Sequence, residues 1–397
     1  MVNVTFSLLI CLGIFAIGDV LAVATKARLS SVFVALMLFL VGFLSGVIPL
    51  DIIEKARLTE LSSWASVYVV FHMGTTINLG ELLREWKTVV MSIFAMIVAV
   101  ISVFAVIPLI GKEAAIVSIP VVNGGIIATQ IMVEAATTKG MALAAALGTI
   151  VYAIQKFVGT PPASFFGLKE AELILADYRK KKAEGLIASS ANEKSKDEHK
   201  ETKKTIYSTL GLDKYYTHFT CLGVTAFFCW LAYWLQAKTT VNYSIWALFL
   251  GAVAGQIHIV PEKILAKGGA VGLLNMAIFA GIIPSLGRIN IADLSTLAFQ
   301  TIVVFAAVVI GTFIFIYMLP TWKFIGSRNL SVGIAMAQLL GFPATYLIAN
   351  EVATASTDDP EEREVVLKRI MPAYVVAGLA SVTTLSIVIA GVFAQLL

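Results

Sequence analysis

The chain has 397 residues, of which 58% are hydrophobic and only 14% are charged, and its formal net charge is +4. The mean hydropathy is +0.88. A soluble globular domain has about 25% charged residues, so this composition excludes that class and indicates an integral membrane protein. Strand-like alternation of apolar and polar residues is absent, and we therefore predict an all-α integral membrane protein.

Apolar segments long enough for an α-helix to cross about 30 Å of hydrocarbon follow one another along the chain. In the first part we predict spans at 4–24, 30–48, 61–77, 88–110 and 141–160, with a broken segment at 114–137. In the last part we predict spans at 216–236, 243–260, 269–286, 297–319 and 370–396, with a second broken segment at 331–355. The first segment lacks the preceding basic residues of a cleaved secretory signal, so we expect it to be retained as the first helix.

A charged stretch at 169–214 divides the chain into a first repeat, 1–168, and a second repeat, 215–397. The stretch is polar and carries charges of both signs, which indicates a solvated linker that is helical or disordered. We therefore predict two membrane-embedded units of similar length joined by this linker.

The two units share polar residues at a nearly constant spacing. A shift of 212 positions pairs Asn78 with Asn290, Glu81 with Asp293 and Pro49 with Pro261. A shift of 217 positions pairs Gly124 with Gly341, Glu134 with Glu351 and Thr137 with Thr354. Ordered polar identities arise by chance less easily than apolar ones. An internal repeat in a helical membrane protein points first to a secondary transporter.

The distribution of lysine and arginine predicts the topology. If the broken segments are re-entrant helical hairpins, each repeat has five transmembrane helices and the repeats are inverted. Most basic groups then share one side with the linker, which the positive-inside rule places in the cytoplasm, with both termini outside. We expect a multi-pass protein of the inner (plasma) membrane. If the broken segments cross fully instead, each half has six spans and the repeats are parallel.

Each broken segment contains residues that interrupt a helix, because Gly and Pro lower helix propensity by about 1 and 3 kcal/mol. Free backbone groups cannot face lipid, so each interruption must be buried in protein or line a wet cavity. The half-helix starts would offer positive dipole ends to an anion, and free carbonyls near Gly124 and Gly341 would coordinate Na⁺. The alternative to such a site is that these glycines only permit close packing of helices. We predict a substrate-binding set of Asn123, Gly124, Gly125, Thr129, Gln130, Gly341, Phe342, Pro343, Thr345 and Asn350.

Two carboxylates, Glu134 and Glu351, follow the breaks at equivalent positions. Acidic residues within a membrane are costly and usually functional, so both are possible coupling carboxylates for a proton or for sodium. Each lies about three helical turns beyond its break, where a returning arm reaches the surface. We therefore favour the interpretation that both carboxylates lie at solvated helix ends and do not couple transport.

Patterns for other chemistry are weak. The cysteines Cys11, Cys221 and Cys229 lie in apolar segments without metal-ligand spacing, which predicts core residues. Asp358 and Asp359 precede Pro360 and predict a helix N-cap and first-turn acids. No nucleotide-binding loop or catalytic triad is found, so we predict neither an enzyme nor a cofactor. The basic residues have no aromatic neighbours that would indicate a nucleic-acid partner.

Around the breaks the sequence resembles the glutamate:sodium symporter (ESS) family and, more distantly, the wider inverted-repeat anion transporters that include the 2-hydroxycarboxylate carriers. The likeness rests on the Gly74–Leu82 turn, SIPVVNGG at 118–125, PATYLIAN at 343–350 and the pair Pro372/Gly378. It implies ten spans with two hairpins, an elevator-type motion of a core domain against a dimeric scaffold, and sodium-coupled uptake of an anion. The first tip departs from the family's Gly-Gly-x-Gly-Thr, since Ile126 and Ile127 follow the Gly pair.

We therefore predict a secondary active transporter that couples symport of a small anionic solute, a glutamate-like amino acid or an organic acid, to Na⁺ as a homodimer. Three alternatives remain open. One is a proton-coupled carrier that uses Glu134 or Glu351, and another is a channel or holin-like export protein on the same fold. The third is a membrane sensor that transports nothing.

Overall fold

A computed structural model describes residues 2–24, 31–77, 83–184, 212–239, 241–341 and 344–397. The structure is 87% helical and has no strand in these ranges. Seven of the described helices are long and apolar enough to cross a membrane. The prediction of an all-α, multi-pass membrane protein is therefore confirmed.

The helices of the first half lie at the predicted segments, with differences in length. They are α1 (Val2–Ala24), α2 (Ser31–Leu44), α3 (Ile52–Lys55), α4 (Leu58–Thr76), α5 (Trp86–Ala105), α6 (Ile107–Ile110), α7 (Lys112–Val122), α8 (Ile126–Thr138) and α9 (Ala142–Ala183). The first broken segment is thus two helices, α7 and α8, separated by residues 123–125. Helix α2 has only 14 residues where a span at 30–48 is predicted, and α9 runs well beyond its predicted end.

The helices of the second half include several distorted turns. They are α10 (His218–Lys238), α11 (Tyr243–Gln256), α12 (Ile264–Lys267), α13 (Val271–Ile282), α14 (Leu294–Thr312), α15 (Arg328–Leu340), α16 (Ala344–Ser356), α17 (Pro360–Leu379) and α18 (Ser386–Leu396). Short 3-10 helices occupy Leu212–Tyr215, Ile283–Arg288, Ile291–Asp293 and Pro320–Phe324. Phe313–Met318 and Ala380–Leu385 are π-helical.

Two helices are longer than the sequence predicts. Helix α9 has 42 residues and continues through Pro161 and Pro162, whereas the predicted span ends at residue 160. A proline inside a helix removes one backbone hydrogen bond, and here the helix tolerates two. The last predicted span, 370–396, is the apolar part of a longer helical segment that begins at Pro360. The first turns of this segment are charged, so hydropathy alone does not reveal where it begins.

Local structure recurs in the two halves at the spacing found in the sequence. Helices α3 and α12 have four residues each and start 212 positions apart. The left-handed residues Arg57 and Gly269 follow these helices at the same spacing, and Gly46 and His258 precede them at the same spacing. The backbone hydrogen bond from Ile48 to Gly42 likewise has a counterpart from Val260 to Ala254.

Helix α9 is the centre of the packing around both broken segments, since it contacts α7, α8, α15, α16 and α17. The last helix, α18, packs against α7 and α8 from another side. Separately, α4 packs against α11 with backbone in direct contact at Gly74 and Gly251. Gly255 contacts the backbone of Thr75 in the same way, so Gly251 and Gly255 permit the close packing of α4 against α11.

An ion-pair cluster joins the end of α9 to the start of α17. Arg179 donates two hydrogen bonds to Glu362, from Nε to Oε1 and from Nη2 to Oε2, each 2.7 Å long. Thr357 Oγ1 donates to Glu362 Oε2 at 2.6 Å, and Lys182 pairs with Glu361 at 2.9 Å. The start of the last long helix is therefore held against the end of α9.

Candidate functional site

The first break is a buried turn between α7 and α8. Asn123 is fully buried, and its Nδ2 donates to the carbonyl of Ile119 at 2.9 Å. The carbonyl of Gly124 accepts a hydrogen bond of 3.0 Å from Gln155 Nε2 on α9. The carbonyl of Gly125 accepts from both the N–H and the Oγ1 of Thr129, at 3.1 and 3.0 Å. Partners from α8 and α9 thus replace the missing helical bonds of the break.

The second break starts at Gly341, the C-cap of α15. Gly341 has φ +67°, a left-handed value that favours glycine, and its carbonyl accepts the N–H of Thr345 at 3.1 Å. Thr345 is fully buried in the first turn of α16 and lies against Gly378 of α17. The predicted site residues Phe342 and Pro343 lie outside the described residues.

Both breaks lie against one side chain, Val382, in the π-helical segment of the last long helix. A Cβ added to Gly125 would lie 2.8 Å from Val382 Cγ1, and one added to Gly341 would lie 3.0 Å from the same atom. Helix α9 covers both breaks too, through Gln155 at Gly124 and through Gly159 at Leu339 and Leu340. The two breaks are therefore neighbours, and π-helical turns of this kind are frequent at functional sites.

Several buried polar atoms beside the breaks have no hydrogen-bond partner among the described residues. A buried polar group without a partner costs about 1–3 kcal/mol, and in a membrane bulk water cannot reach it. Other unpaired buried atoms of the described chain lie on other helices, among them Ser66 Oγ, Gln300 Oε1 and Thr312 Oγ1. Unpaired groups that lie together at the breaks are the ones that a bound ligand or ion would complete. The atoms are Asn123 Oδ1, Gln155 Oε1, Gln338 Oε1, Gln338 Nε2 and Thr345 Oγ1.

Helix ends and carbonyl oxygens contribute to the electrostatics at the breaks. Helices α8 and α16 have 13 residues each and begin at the breaks, so their positive dipole ends meet there. The carbonyls of Gly124 and Gly341, the predicted sodium ligands, each accept one of the hydrogen bonds given above. Each oxygen keeps a second lone pair that a cation would be able to use.

A cavity of about 570 Å³ lies between the starts of α3 and α4, the end of α8 and the end of α13. Gln130 is 5% exposed and belongs to its lining; its Nε2 donates to Ser62 Oγ at 3.3 Å, and its Oε1 has no partner within the described ranges. Charged residues line the cavity more widely, and acidic ones predominate: Asp51, Glu54, Glu60, Glu134 and Arg288. Asp51 pairs with Lys55 at 2.9 Å and Glu60 pairs with Arg57 at 3.2 Å, so the negative charge that remains comes from Glu54 and Glu134 and favours cations only weakly.

The predicted site residues fall into two groups. Residues 123–125, Thr129, Gly341 and Thr345 lie at the breaks, and Gln130 lies one residue further, in the cavity wall. Asn350 is about 9 Å along α16 from its start, where its Nδ2 donates to the carbonyl of Tyr346 on its own helix at 2.9 Å. Glu134 is exposed towards the cavity, and Glu351 is exposed as well.

Three residues at the breaks are absent from the sequence-based set. Gln155 and Gln338 lie within α9 and α15, and both are buried. A lone amide in an otherwise apolar helix is the signal that would have found them, because such groups hydrogen-bond across helices in membranes. Val382 gives no such signal, since one valine in an apolar run looks like any other.

The predictions for the three cysteines and for Asp359 are confirmed. Cys11, Cys221 and Cys229 are free and buried. Asp359 caps α17, since its Oδ1 accepts the N–H of Glu361 at 2.8 Å. No group of three or more His, Cys, Asp or Glu side chains that would hold a metal ion is found in the described part of the chain.

A comparison with models of known protein families gives no match, and a comparison with curated proteins gives none either. What the fold and the site define is a class: an all-α, multi-pass membrane protein with two broken helices that meet at one buried, polar place.

Proposed function

We propose that the protein is a secondary active transporter that couples symport of a small anionic solute to Na⁺ at the two breaks. The observation that carries the proposal is the meeting of two broken helices at Val382 beside buried, unpaired polar atoms. Two half-helix starts suit an anionic group, and unwound carbonyls suit a dehydrated Na⁺. Assembly as a homodimer and elevator-type motion rest on the family resemblance alone.

The lengths and ends of the broken helices support re-entrant hairpins. Helices α7 and α8 have 11 and 13 residues, about 17 and 20 Å, so each is too short to cross about 30 Å of hydrocarbon. Lys112 at the start of α7 and Leu143 at the start of α9 line one cavity, which supports a return of α8 to the end where α7 began.

The second broken segment supports an opposite orientation. Ile325, just before α15, accepts a hydrogen bond from Arg369 of α17 at 3.5 Å, so α15 starts beside the third turn of α17, in the half of that helix that is nearer to α16. That end of the molecule also holds the Arg179–Glu362 pair and hence the start of the linker. The first hairpin would then enter from the end that bears Arg57 and Arg288, as inverted repeats require.

The acidic cavity bears on the choice of solute. Glu54 and Glu134, the carboxylates of its lining outside the Asp51–Lys55 and Glu60–Arg57 ion pairs, favour entry of Na⁺ and disfavour a solute that carries only negative charge. Among the two anionic solute types predicted from the sequence, an amino acid suits the cavity better than an organic acid, because its ammonium group offsets the repulsion. We therefore favour a glutamate-like amino acid.

Uptake into proteoliposomes tests the proposal. The purified chain is reconstituted, and labelled amino acids and organic acids are offered with and without an inward Na⁺ gradient. We expect saturable accumulation of at least one amino acid, and only with the gradient. Accumulation that ignores Na⁺ would refute the coupling, and failure of the whole panel would refute the transport of such solutes.

Proton coupling is the second candidate, because Glu134 lies on the cavity wall in the helix that starts at the first break. A carboxylate there would be able to carry a proton between the cavity and the breaks. Under this alternative a pH gradient alone drives uptake, and Glu134→Gln abolishes it. Glu351→Gln tests the equivalent position in the second half, and proton coupling is refuted if both variants keep pH-driven uptake.

A further inference from the structure

A second, basic pocket lies at the end of the molecule where α9 ends and α17 begins. Its volume is about 260 Å³, and it lies between the start of α5 and the third turn of α17. Four cationic side chains and one carboxylate line it: Arg84, Lys87, Lys368, Arg369 and Glu85.

The positive charge of this pocket is only partly offset. Glu85 Oε2 accepts a hydrogen bond from Thr88 Oγ1 at 3.3 Å, and Lys368 pairs with Glu364 of its own helix at 3.0 Å, with both side chains exposed. Arg84 and Lys87 form no ion pair with any residue that the structure describes. Like charges gathered around one pocket repel each other, and a bound anion removes that cost.

Exposed apolar side chains flank the same pocket. Trp86, part of the lining, is 51% exposed, and Leu83 beside it is 74% exposed. The ring of Phe324, 39% exposed, meets the ring of Trp86 at 5.5 Å between centroids. The pocket therefore combines a site for an anion with an apolar surface next to it.

The sequence places the pocket at the level of lipid headgroups. Helix α5 becomes apolar at Val89, two residues after Lys87, and is long enough to cross a membrane. In α17 the apolar run starts at Ile370, directly after Lys368 and Arg369. Both helices thus change from charged to apolar sequence at the pocket, as chains do where they enter the hydrocarbon, and an interfacial Trp is typical of that level.

We propose that this pocket binds the phosphate group of an anionic membrane lipid. Arginine pairs with phosphate through two parallel hydrogen bonds, and lysine adds a point charge. The acyl chains of the lipid cover Leu83, Trp86 and Phe324, which a free phosphate ion leaves exposed. Basic pockets between transmembrane helices bind such headgroups. This site is independent of the transport proposal.

Native mass spectrometry of the full-length chain in neutral detergent tests the site. Phosphatidylglycerol, phosphatidylcholine and inorganic phosphate are titrated separately, and retained lipid is counted. We expect phosphatidylglycerol to bind more tightly than phosphatidylcholine and to resist displacement by inorganic phosphate. The double variant Arg84→Gln, Lys87→Gln should bind phosphatidylglycerol at least about tenfold more weakly, since one basic residue near an anionic surface contributes about fivefold.

Two further variants are controls, one for charge lost outside the pocket and one for substitution without loss of charge. Lys180→Gln with Lys181→Gln removes the same charge near the same end, and Arg84→Lys with Lys87→Arg keeps the charge; both should bind phosphatidylglycerol like the unchanged chain. Equal binding by the Arg84→Gln, Lys87→Gln variant overturns the proposal. An equal loss in the Lys180→Gln, Lys181→Gln variant also overturns it, because the binding is then nonspecific. If inorganic phosphate displaces the lipid, the pocket is a site for free anions, and the proposal of a lipid site is overturned.

Discussion

At the scale of single residues, the site depends on groups that are buried and incompletely paired. Thr345 illustrates this, because it is fully buried in the first turn of a helix while its Oγ1 has no partner within the described ranges. A residue kept for stability alone would satisfy its hydroxyl or be apolar. Polar atoms of this kind are expected to bind the solute or the ion.

Thr345→Val separates function from stability. Valine has nearly the same shape and removes only the unpaired hydroxyl, so the thermal midpoint in detergent should stay the same or rise. Solute uptake should fall about fivefold, the equivalent of one lost hydrogen bond of about 1 kcal/mol. Thr301→Val is the control, because Thr301 Oγ1 already donates to the carbonyl of Leu297 at 2.7 Å. Unchanged uptake by Thr345→Val would remove this residue from the site.

Gly124→Ala tests the packing of the first break. The added Cβ would lie 2.7 Å from the Cβ atoms of Ala128 and Ser386, and 2.8 Å from the carbonyl oxygen of Pro120. We expect a loss of about 1–3 kcal/mol in the free energy of unfolding, together with a strong loss of uptake. Gly223→Ala, in α10 with nothing within 4 Å of the new atom, should leave both intact. Equal behaviour of the two variants would contradict the close packing.

At the scale of helices, the sequence predicts where helices break but not what the breaks touch. Gly124 and Gly341 are visible in the sequence because glycine stands out in an apolar run and because they recur at a fixed spacing. Gln155 and Val382 come from helices far along the chain, so their role depends on tertiary packing. The π-helical segment at Ala380–Leu385 has only a weak local signal: its sequence, ASVTTL, is rich in β-branched residues with low helix propensity, but this does not distinguish a π-helix from an α-helix.

Glu362→Ala tests how the start of α17 is held. Glu362 is 11% exposed and accepts two bonds from Arg179 and one from Thr357, and hydrogen bonds to charged groups contribute about 1.5–3 kcal/mol. Because Arg179 is itself half exposed and regains water, we expect a loss of about 1–2 kcal/mol in thermal unfolding. Glu364→Ala breaks an exposed pair with Lys368 and should cost less than about 0.5 kcal/mol. A similar cost for both would contradict a specific Glu362 contact.

At the scale of the whole molecule, the two ends differ in charge. An acidic cavity opens beside the starts of α3 and α4, and a basic pocket lies near the start of α17. The structure brings Arg84 and Arg369, which lie far apart in the sequence, to one pocket. The acidic lining was not anticipated, since its residues come from four separate segments.

Counterflow in proteoliposomes tests the central claim, a carrier with one site at the two breaks. Vesicles are loaded with unlabelled amino acid, and Na⁺ is present on both sides while labelled amino acid is added outside. The unchanged chain should accumulate label transiently above equilibrium, Thr345→Val should do so more slowly, and removal of Na⁺ should abolish the effect. Label that only equilibrates, or that moves without saturation, would show a channel or no transport and would contradict the account.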